Sequence, residues 1–581
     1  MRWIRATRRG PRRGDGAMRA SLAPALLLAV AALGCHTSLS PPIPAEHGDD
    51  APPRRGGTLR LATFKDIRGL DPAGPTEGVA NQAIHAIFAG LVDFDDRGRV
   101  VPDLADRWEI AEGGRVYRFT LHEGVRMHDG EELTADDVKR SVERALHKTT
   151  PDPSASYFEG IAGYAAYAEG TAEHLDGVVV EGRYVVTFRL EEPDATFLSV
   201  LAGPTLRPVC RSAGDRYVDT WQPCGAGPFK LAPGGWRRGA SLRLVRHDGY
   251  FRAGLPYLDA VEWTYNMQQL TQRFRFEAGE LDFLHEISQA DQARFAGDPR
   301  WRPFGSTDAD TTLYGESMNT TMPPFDNVEV RRAVAAAIDR EHYRLLKPAY
   351  VTPLDQPIPP GIPGYASDDV RCRRGQRYDY AAALEHMRKA GFPYDPATGR
   401  GGWPYPIDYV VYDQGLLIYT AQLLQQELAK IGLRIELRLV SWQTFLTLQH
   451  RRGGAAMSPG NWAMDYPDPS SFFEPLFTTR AIGPESTDNT AFYSNPRFDD
   501  LVARARGELD ETQREALYRE AGAILCDEAP WAFTFSYHFV SERQPYVRGP
   551  LQHPVWYVDP TRTWIDRSDR LAEPPAGSES P

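Results

Sequence analysis

The stretch that decides the fold reads FTLHEGVRMHDGEELTADDV and spans residues 119–138. Its start continues an alternating pattern from residue 117 and predicts a strand, and the glycines that follow predict turns. Thr134 is a typical helix N-cap residue, and Asp136 and Asp137 favour the positive end of a helix dipole. The sequence therefore predicts a strand, a turn and a capped helix over 135–146 within one short segment.

The same mixture of short strands and amphipathic helices continues on both sides of this segment. Strands are predicted at 57–62, 178–180, 184–190 and 241–245, and helices at 81–91, 328–338, 381–390, 419–431 and 510–526. Gly391 and Gly432 follow two of these helices, at positions where a left-handed cap is needed. The helix before Gly432 leads into an alternating strand at 433–439, which is typical of α/β layers. An α/β fold is expected.

Composition and charge restrict the class of protein. The 581 residues are 42% hydrophobic and 25% charged, as in a globular chain of two to four domains. The net charge is −12, and residues 1–34 contain seven Arg and one Asp, so the remaining chain is near −18. Such an acidic body argues against binding to nucleic acid and against docking on anionic lipid.

The N-terminus has the pattern of an export signal. An apolar stretch at 22–33 follows the arginines and is about 18 Å long as a helix, which is too short for a bilayer core of about 30 Å. The sequence ALGC at 32–35 resembles a bacterial lipobox, which implies signal peptide 1–34 and a lipid on Cys35. A plain secretory signal with an incidental Cys is the alternative, and translation could also start at Met18. Residues 35–55 are rich in Pro and polar residues and predict a flexible tether.

Four further cysteines stand at 210, 224, 372 and 526, and none forms a C-x-x-C pair. A metal cluster of the zinc-finger type is therefore not expected. Cys210 and Cys224 could close a short loop as a disulfide in an oxidising compartment, or remain reduced. Cys526 lies in a helical apolar run and is expected to pack as a small buried hydrophobic residue.

The chain contains none of the common catalytic motifs. G-x-S-x-G, the P-loop, H-E-x-x-H and a complete G-x-G-x-x-G are all absent. Adjacent aspartates at 95–96, 136–137 and 499–500 fall in predicted turns and helix starts, where capping is the expected role. We therefore expect no enzymatic activity, no cofactor and no metal site.

A series of short motifs, taken in order, resembles one family along almost the whole chain: the extracytoplasmic solute-binding proteins of ABC importers, peptide/nickel type. These motifs are LDP at 70–72, FAGLV at 88–92, VPDLADRW at 101–108, FTLHEGVRMHDG at 119–130, TADDV at 134–138, GAGPF at 225–229, PFDN at 324–327, VRRA at 330–333 and IDR at 338–340.

The resemblance implies a fold and a set of domain limits. The fold is a two-lobed α/β clamp of the type II periplasmic-binding-protein class, in the three-domain variant with ligand enclosed between the lobes. The implied limits are 56–88 with 223–309 and 541–568 for lobe one, 89–222 for an extra domain on lobe one, 310–540 for lobe two and 569–581 for a polar tail. Crossover strands between the lobes would act as the hinge.

The strongest candidate for ligand binding is the stretch NWAMDYPDP at 461–469, which resembles the family loop whose Asp accepts the α-ammonium of a bound peptide. Asp465 is the matching residue, and the alternative for it is a turn cap before Pro467. Trp462 and Tyr466 flank it, whereas Asp468 precedes Pro469 and is expected to be a structural cap. A charge-assisted pair with an amine is strong once water is excluded.

Two other segments match ligand-contacting positions of the family. The stretch WQTFL at 442–446 with His450 resembles a segment in which Trp442 walls a side-chain pocket, and a core role for Trp442 is the alternative. The stretch at 77–79, Glu77, Gly78 and Val79, resembles a segment whose backbone pairs with an extended peptide as an added strand.

Two departures from the family pattern concern the carboxylate end of a bound peptide. Gln449 and Pro459 stand where oligopeptide binders carry arginines that help to anchor the peptide carboxylate. Arg451 and Arg452 lie nearby in the sequence, but each is expected to lie in a solvated loop. The residue that anchors a ligand carboxylate therefore stays unassigned at this point, and the length or even the class of ligand could differ from the type members.

The resemblance implies a monomeric, exported, lipid-anchored receptor that captures short peptides outside the cytoplasmic membrane and delivers them to an ABC permease and its ATPase subunits. Uptake of a nonpeptide solute, such as a nickel chelate, an opine or a glycoside, remains open as an alternative. A further alternative is an extracytoplasmic enzyme or signalling module on the same scaffold.

Overall fold

The computed structural model describes residues 39–568 except 75–77, 152, 219–220, 286, 310, 347, 349, 366–369, 415 and 484–486. Of the N-terminal unit, Met1–Leu39, only Leu39 is described, and the second unit begins at Ser40. The predicted signal peptide 1–34, Cys35 and the predicted polar tail 569–581 lie outside the described residues.

The helices of the described residues follow the amphipathic stretches of the sequence. They are α1 Gly78–Ile87, α2 Ala135–Ala145, α3 Tyr164–Glu169, α4 Phe197–Leu201, α5 Gln269–Glu277, α6 Gln289–Gly297, α7 Val328–Ala337, α8 Arg340–Leu346, α9 Val370–Gln376, α10 Tyr380–Lys389, α11 Leu416–Ala429, α12 Trp442–Gln449, α13 Ser470–Phe477, α14 Pro496–Gly507 and α15 Glu511–Glu528.

The strands alternate with these helices along the chain. They are β1 Thr58–Ala62, β2 Val92–Phe94, β3 Val100–Pro102, β4 Ala105–Ala111, β5 Val116–Leu121, β6 Val178–Gly182, β7 Val185–Arg189, β8 Phe229–Arg237, β9 Ser241–Arg246, β10 Ala260–Thr264, β11 Phe283–Leu284, β12 Gly305–Ala309, β13 Thr312–Met318, β14 Val351–Pro353, β15 Tyr394–Asp395, β16 Arg400–Gly401, β17 Pro406–Tyr412, β18 Arg434–Val440, β19 Met457–Ala463, β20 Trp531–Arg543, β21 Val547–Arg548, β22 Gln552–His553, β23 Tyr557–Val558 and β24 Trp564–Ile565.

The described strands form three main sheets. The first sheet has the order β1-β10-β9-β8, with β1 parallel to β10, and the second sheet is the antiparallel β4-β5-β7-β6. The large sheet has the order β11-β20-β13-β19-β17-β18, and β12 and β14 also pair with β20. Strand β17 is parallel to both β18 and β19. The expected mixed α/β architecture is therefore confirmed.

Each main sheet packs its helices over an apolar core. Val138 of α2 shares a buried cluster with Phe119 of the second sheet, and Leu424 of α11 shares one with Tyr409 of the large sheet. Ile84 of α1 belongs to the cluster of the first sheet. These clusters show which helices pack on which sheet. The domain limits implied by the resemblance stay a prediction.

The helix starts and stops agree with the local signals in the sequence. Thr134 is the N-cap of α2, and the carboxylate of Asp137 accepts hydrogen bonds from the Thr134 N–H at 3.0 Å and hydroxyl at 2.8 Å. Gly391 and Gly432 follow α10 and α11 with φ of +90° and +81°, in the left-handed region that other residues rarely adopt. Local capping chemistry thus places the ends of these helices.

The flexible tether expected at 35–55 differs from the structure over its described part. The indole N–H of Trp301 donates to the Ser40 carbonyl at 2.7 Å, and His47 donates its backbone N–H to the buried Asp566 at 2.9 Å. Ile43 lies so close to Gly279 that a Cβ there would be 2.2 Å from its Cδ1. The described part of this segment therefore contacts the folded body, although its composition alone suggests a flexible tether.

Two disulfides join the four described cysteines. Cys210 and Cys224, the pair considered for a short loop, are bonded to each other. Cys526 is buried as expected, but it is bonded to Cys372, 154 residues away, rather than packed only as a small hydrophobic residue. This bond links α9 to α15, and a partner so distant leaves no local signal in the sequence.

Removal of the longer disulfide should cost the most stability. In the chain-entropy view, the loop closed by Cys372 and Cys526 gives about 5 kcal/mol, against about 3 kcal/mol for the shorter loop of Cys210 and Cys224. We expect Cys372→Ser/Cys526→Ser to lower the free energy of unfolding in urea more than Cys210→Ser/Cys224→Ser does. Equal losses would contradict the expected dependence on loop length.

Three buried carboxyl groups of the described residues have pKa values raised to about 7 or 8. Burial raises the pKa of Glu316 to about 8, although the hydroxyls of Tyr409 and Tyr343 donate to it at 2.6 and 3.4 Å. Burial likewise raises the pKa of Glu542 to about 8 and that of Asp282 to about 7. These acids stay protonated in the native state over part of the range in which they ionise in the unfolded chain.

Stability should therefore fall as the pH rises. Between pH 4.5, the ordinary value for Glu316, and about 8, the unfolded chain releases a proton that native Glu316 retains, which favours unfolding. We expect Glu316→Gln to flatten the decrease in the free energy of unfolding between pH 5 and 8.5, measured in urea. The exposed Glu123→Gln is the control and should leave the slope unchanged; an unchanged slope in Glu316→Gln as well would refute the assignment.

Candidate functional site

The carboxyl ends of three neighbouring strands in the large sheet form the predicted site. Because β17, β18 and β19 are mutually parallel in this sheet, their carboxyl ends lie at one edge. Trp442 comes two residues after β18, and Asp465 two residues after β19. Ligands of α/β proteins bind at such an edge, since the loops that follow parallel strands converge there.

The carboxylate of Asp465 reaches a different part of the chain. The hydroxyl of Tyr157 donates to its Oδ2 at 2.5 Å, across a sequence separation of 308 residues. Tyr157 lies in a short 3-10 turn, Pro153–Phe158, in the region of the second sheet. The Asp465 backbone N–H donates to the Ser471 hydroxyl at 2.9 Å and fixes the loop to the start of α13.

Capping, the alternative considered for Asp465, is done by Asp468. The Asp468 carboxylate accepts from the Ser470 N–H at 2.9 Å and forms a two-point ion pair with Arg514 at 2.5 and 2.7 Å. Asp468 is therefore the structural cap. Within the described residues, no Arg, Lys or His pairs with Asp465, and Tyr157 is the partner found for its carboxylate.

The surroundings of Asp465 favour a cation. The Asp465 side chain is exposed at the surface, but many protein atoms lie close to it. Their proximity disfavours the charged form and raises the pKa of Asp465 to about 6, although the hydrogen bond from Tyr157 acts to lower it. The carboxylate of Asp488 raises that pKa further. Burial and the nearby carboxylates raise the pKa of Tyr157 above its usual value, so this hydroxyl remains a donor. His450 lies 3.7 Å from Asp488.

The predicted aromatic residues differ in their availability to a ligand. Trp442 is 46% exposed and forms a cluster with Tyr412 and Phe445, with ring centroids 4.6 and 5.7 Å away. Trp462 is partly buried, and its indole N–H is buried with no hydrogen-bond partner among the described residues. Tyr466 is buried in the core of the second sheet, and its hydroxyl lies 3.0 Å from that of Ser470, so it is not available as a surface contact.

A cavity of about 230 Å³ lies at the carboxyl ends of β1 and β10 in the first sheet. Its walls include Leu61, Val79, Trp263 and Phe283, together with the polar side chains of Lys65 and His285. Burial, and then the Lys65 charge, lower the pKa of His285 to about 4, so that its imidazole is neutral at pH 7. The cavity thus offers an apolar surface with a few polar groups, as ligand pockets do.

Part of the segment 77–79, for which the resemblance implies pairing with a peptide strand, is helical. Gly78 and Val79 form the first turn of α1. Glu77 lies outside the described residues. Gly78 and Val79 do line the cavity of the first sheet, and the first N–H groups of a helix have no partner within it. These N–H groups can donate to a ligand oxygen.

Two groups of side chains among the described residues could be considered for a metal ion. One comprises Asp129 with Cys210 and Cys224, whose sulfurs are bonded to each other. The other comprises Glu46, His47 and Asp566, but Arg54 already pairs with both carboxylates at 3.2 Å. Neither group has the free donors that a metal site requires.

The structure places Trp442 and Asp465 just after strands that flank β17, and His450 and Asp465 each lie near Asp488. Trp462 lies within β19, and Gly78 and Val79 line a cavity of the first sheet. Sequence reasoning missed Tyr157 and Asp488. No motif surrounds either residue, and a pairing across 308 residues leaves no pattern in a single sequence.

Comparison with known proteins identifies the family. The profile described as bacterial extracellular solute-binding proteins, family 5, matches residues 99–484. The chain belongs to this family. It is 30% identical to the probable deoxycholate-binding periplasmic protein YgiS of Escherichia coli K12 over 86% of this chain and 92% of that protein. It is 26% identical to the glutathione-binding protein GsiB of Pectobacterium atrosepticum over 84% of this chain and 90% of that protein.

Solved structures with the same fold match this chain over nearly their whole length. Clavulanic acid biosynthesis oligopeptide binding protein 2 matches with a TM-score of 0.79 at 24% identity, over 91% of this chain and 99% of that one. DppA of Helicobacter pylori, in complex with the peptide STSA, matches with a TM-score of 0.68 at 25% identity, over 88% and 99%. The expected type II periplasmic-binding-protein fold is confirmed.

The family assignment defines the general role. The protein is a solute-binding component of ABC importers, and its relatives are binding proteins of transporters rather than enzymes. Among the described residues, no helix is both long and apolar enough to span a bilayer. Family membership in an extracellular class implies export.

Proposed function

We propose that the protein captures short peptides by their free α-ammonium group outside the cytoplasmic membrane and delivers them to an ABC permease. The observation that carries this proposal is the Asp465 carboxylate, which neither caps a helix nor pairs with a described cation and which the Tyr157 hydroxyl orients at 2.5 Å. The protein performs no chemistry on the ligand, and ATP hydrolysis belongs to the partner subunits.

An ammonium group suits this carboxylate in charge and geometry. A carboxylate oxygen accepts several hydrogen bonds, so Asp465 can bind an ammonium while it keeps the bond from Tyr157. Asp488 adds negative potential at the same place. A charge-assisted hydrogen bond is about twice as strong as a neutral one. The site therefore discriminates between a free amine and the same molecule with its amine blocked.

The aromatic face of Trp442 and the cavity of the first sheet would receive the rest of the ligand. Both surfaces are apolar and can contact different side chains, which suits a receptor for peptides of varied sequence. The complex of Helicobacter pylori DppA with STSA, in a chain 25% identical to this one, supports a peptide ligand.

A nonpeptide solute is the second candidate. The cavity of the first sheet combines an apolar lining with Lys65, which suits an apolar molecule that carries an anionic group. YgiS, a probable deoxycholate-binding protein, is 30% identical to this chain. The two candidates differ at Asp465, because an anionic solute without an amine gains nothing from that carboxylate.

Thermal shift with peptides tests the proposal. We expect pools of free dipeptides to hexapeptides to raise the melting temperature of the refolded protein, since a ligand that binds only the native state stabilises it by RT ln(1 + [L]/Kd). N-acetylated copies of the pools should have no effect, and Asp465→Asn should abolish the shift because it removes the charge. The exposed Asp500→Asn is the matched control and should respond like the wild type.

The outcomes separate the two candidates. A shift with both free and acetylated peptides would contradict recognition through the ammonium group. No shift with any peptide pool, together with a shift given by deoxycholate that persists in Asp465→Asn, would replace the peptide assignment by that of an anionic amphipathic solute.

The lipid anchor is a separate part of the proposal. It rests on the resemblance of ALGC at 32–35 to a lipobox. We expect the mature protein, isolated from membranes, to begin at Cys35 and to carry the mass of a diacylglycerol on that residue, and Cys35→Ala to abolish this modification. Cleavage at another position, without added lipid, would show a plain secretory signal instead.

A further inference from the structure

A second polar contact joins the same two parts of the chain that Tyr157 and Asp465 join. Asp194, in the region of the second sheet, accepts two hydrogen bonds on Oδ2 from the guanidinium of Arg506, which lies near the end of α14. The distances are 2.8 Å from Nη2 and 3.2 Å from Nε. The two residues are 312 positions apart, so the pair connects regions that share no local structure.

Asp194 is held firmly on its own side. Its Oδ1 accepts from both the N–H and the hydroxyl of Thr196, at 2.9 and 2.6 Å. Its carbonyl accepts from the hydroxyl of Tyr117, at 2.6 Å, and Tyr117 is fully buried in the core of the second sheet. Asp194 is itself 8% exposed, so its carboxylate is prearranged for a cation from outside the region.

Arg506 is equally well placed on the opposite side. Its Nη1 donates to Glu474 of α13 at 3.1 Å, while its backbone carbonyl accepts from the N–H of Ala195 at 2.7 Å. The last carbonyls of a helix have no partner within the helix, and here one from α14 is satisfied from the other region. Burial tends to lower the pKa of Arg506, but the carboxylates of Glu474 and Asp194 outweigh it and raise that pKa.

Helix α13 connects this contact to the ligand-binding carboxylate. Glu474, the second partner of Arg506, lies one turn after Ser471, and the Ser471 hydroxyl accepts the backbone N–H of Asp465. Arg506 therefore ties Asp194 to the helix that orients the Asp465 loop. On the opposite side, the second-sheet region that holds Asp194 also carries Tyr157.

We propose that Asp194 and Arg506 are positioning residues, whose ion pair docks the region of the second sheet on the large-sheet region and thereby brings the Tyr157 hydroxyl to Asp465. The effect on ligand affinity rests on the proposed function, whereas the docking does not. Without the pair, the docked arrangement is a smaller fraction of the ligand-free population. The apparent Kd of a ligand that needs the docked arrangement rises in inverse proportion to that fraction.

Hydrogen exchange measures the docking without any ligand. The Ala195 N–H is protected by the Arg506 carbonyl when the regions are docked, so its exchange reports the contact directly. We expect Arg506→Gln to increase exchange at residues 194–196 in the full-length protein at least fivefold, and Arg506→Lys to recover part of the protection. The charge exchange Asp194→Arg/Arg506→Asp should recover protection relative to either single change.

Arg497→Gln is the matched control. Arg497 lies on the same helix, α14, but pairs with Glu520 of α15 and is 73% exposed, so its loss should leave exchange at 194–196 unchanged. Thermal unfolding of each variant verifies that it is folded. Unchanged exchange at 194–196 in folded Arg506→Gln would overturn the proposal, because the contact would then not depend on the ion pair.

Affinity for trialanine gives the second readout. We expect Arg506→Gln to weaken binding about tenfold, with a partial recovery in Arg506→Lys and no change in Arg497→Gln. Faster exchange with unchanged affinity would overturn the positioning role while leaving the contact itself intact. If the wild-type protein does not bind trialanine, the peptide assignment is at fault, and the exchange data still decide whether the ion pair docks the two regions.

Discussion

The proposed binding site depends on one carboxylate, Asp465, that pairs with no cation among the described residues. A carboxylate withdrawn from water ordinarily caps a helix or pairs with a cation, and Asp468 does both, through Ser470 and Arg514. Asp465, three residues earlier, receives a hydroxyl from Tyr157 and has no described cation as a partner. In the proposed function, a ligand ammonium supplies the cation that the described residues do not provide to Asp465.

The Tyr157–Asp465 hydrogen bond and the Asp194–Arg506 ion pair connect the same parts of the chain, and helix α13 lies between them. If a ligand pairs with Asp465, as we propose, it binds where these two regions meet and stabilises the state in which they are docked. Differential affinity for two arrangements is all that a receptor needs to report its loaded state.

Local chemistry made much of this structure predictable, and long-range pairing did not. Caps and turns, such as Thr134 before α2 and Gly391 after α10, follow from residue types within a few positions. The ordered motifs predicted the family and the fold, and the loop motif pointed to Asp465. By contrast, the Cys372–Cys526 bond and the Tyr157 hydroxyl join residues 154 and 308 positions apart, for which one sequence contains no signal. Only the packing of the regions brings such residues together.

Proton exchange on binding tests the central claim most directly, and calorimetry in buffers of different ionisation enthalpy measures it. With the pKa of Asp465 at about 6, binding of a free peptide at pH 6 should release about half a proton, because the paired carboxylate must be ionised. At pH 8, where an α-amino group of pKa about 8 is half deprotonated, binding should instead take up about half a proton. Asp465→Asn should abolish the release at pH 6. Binding with no proton exchange at either pH would contradict the pairing of an ammonium group with Asp465.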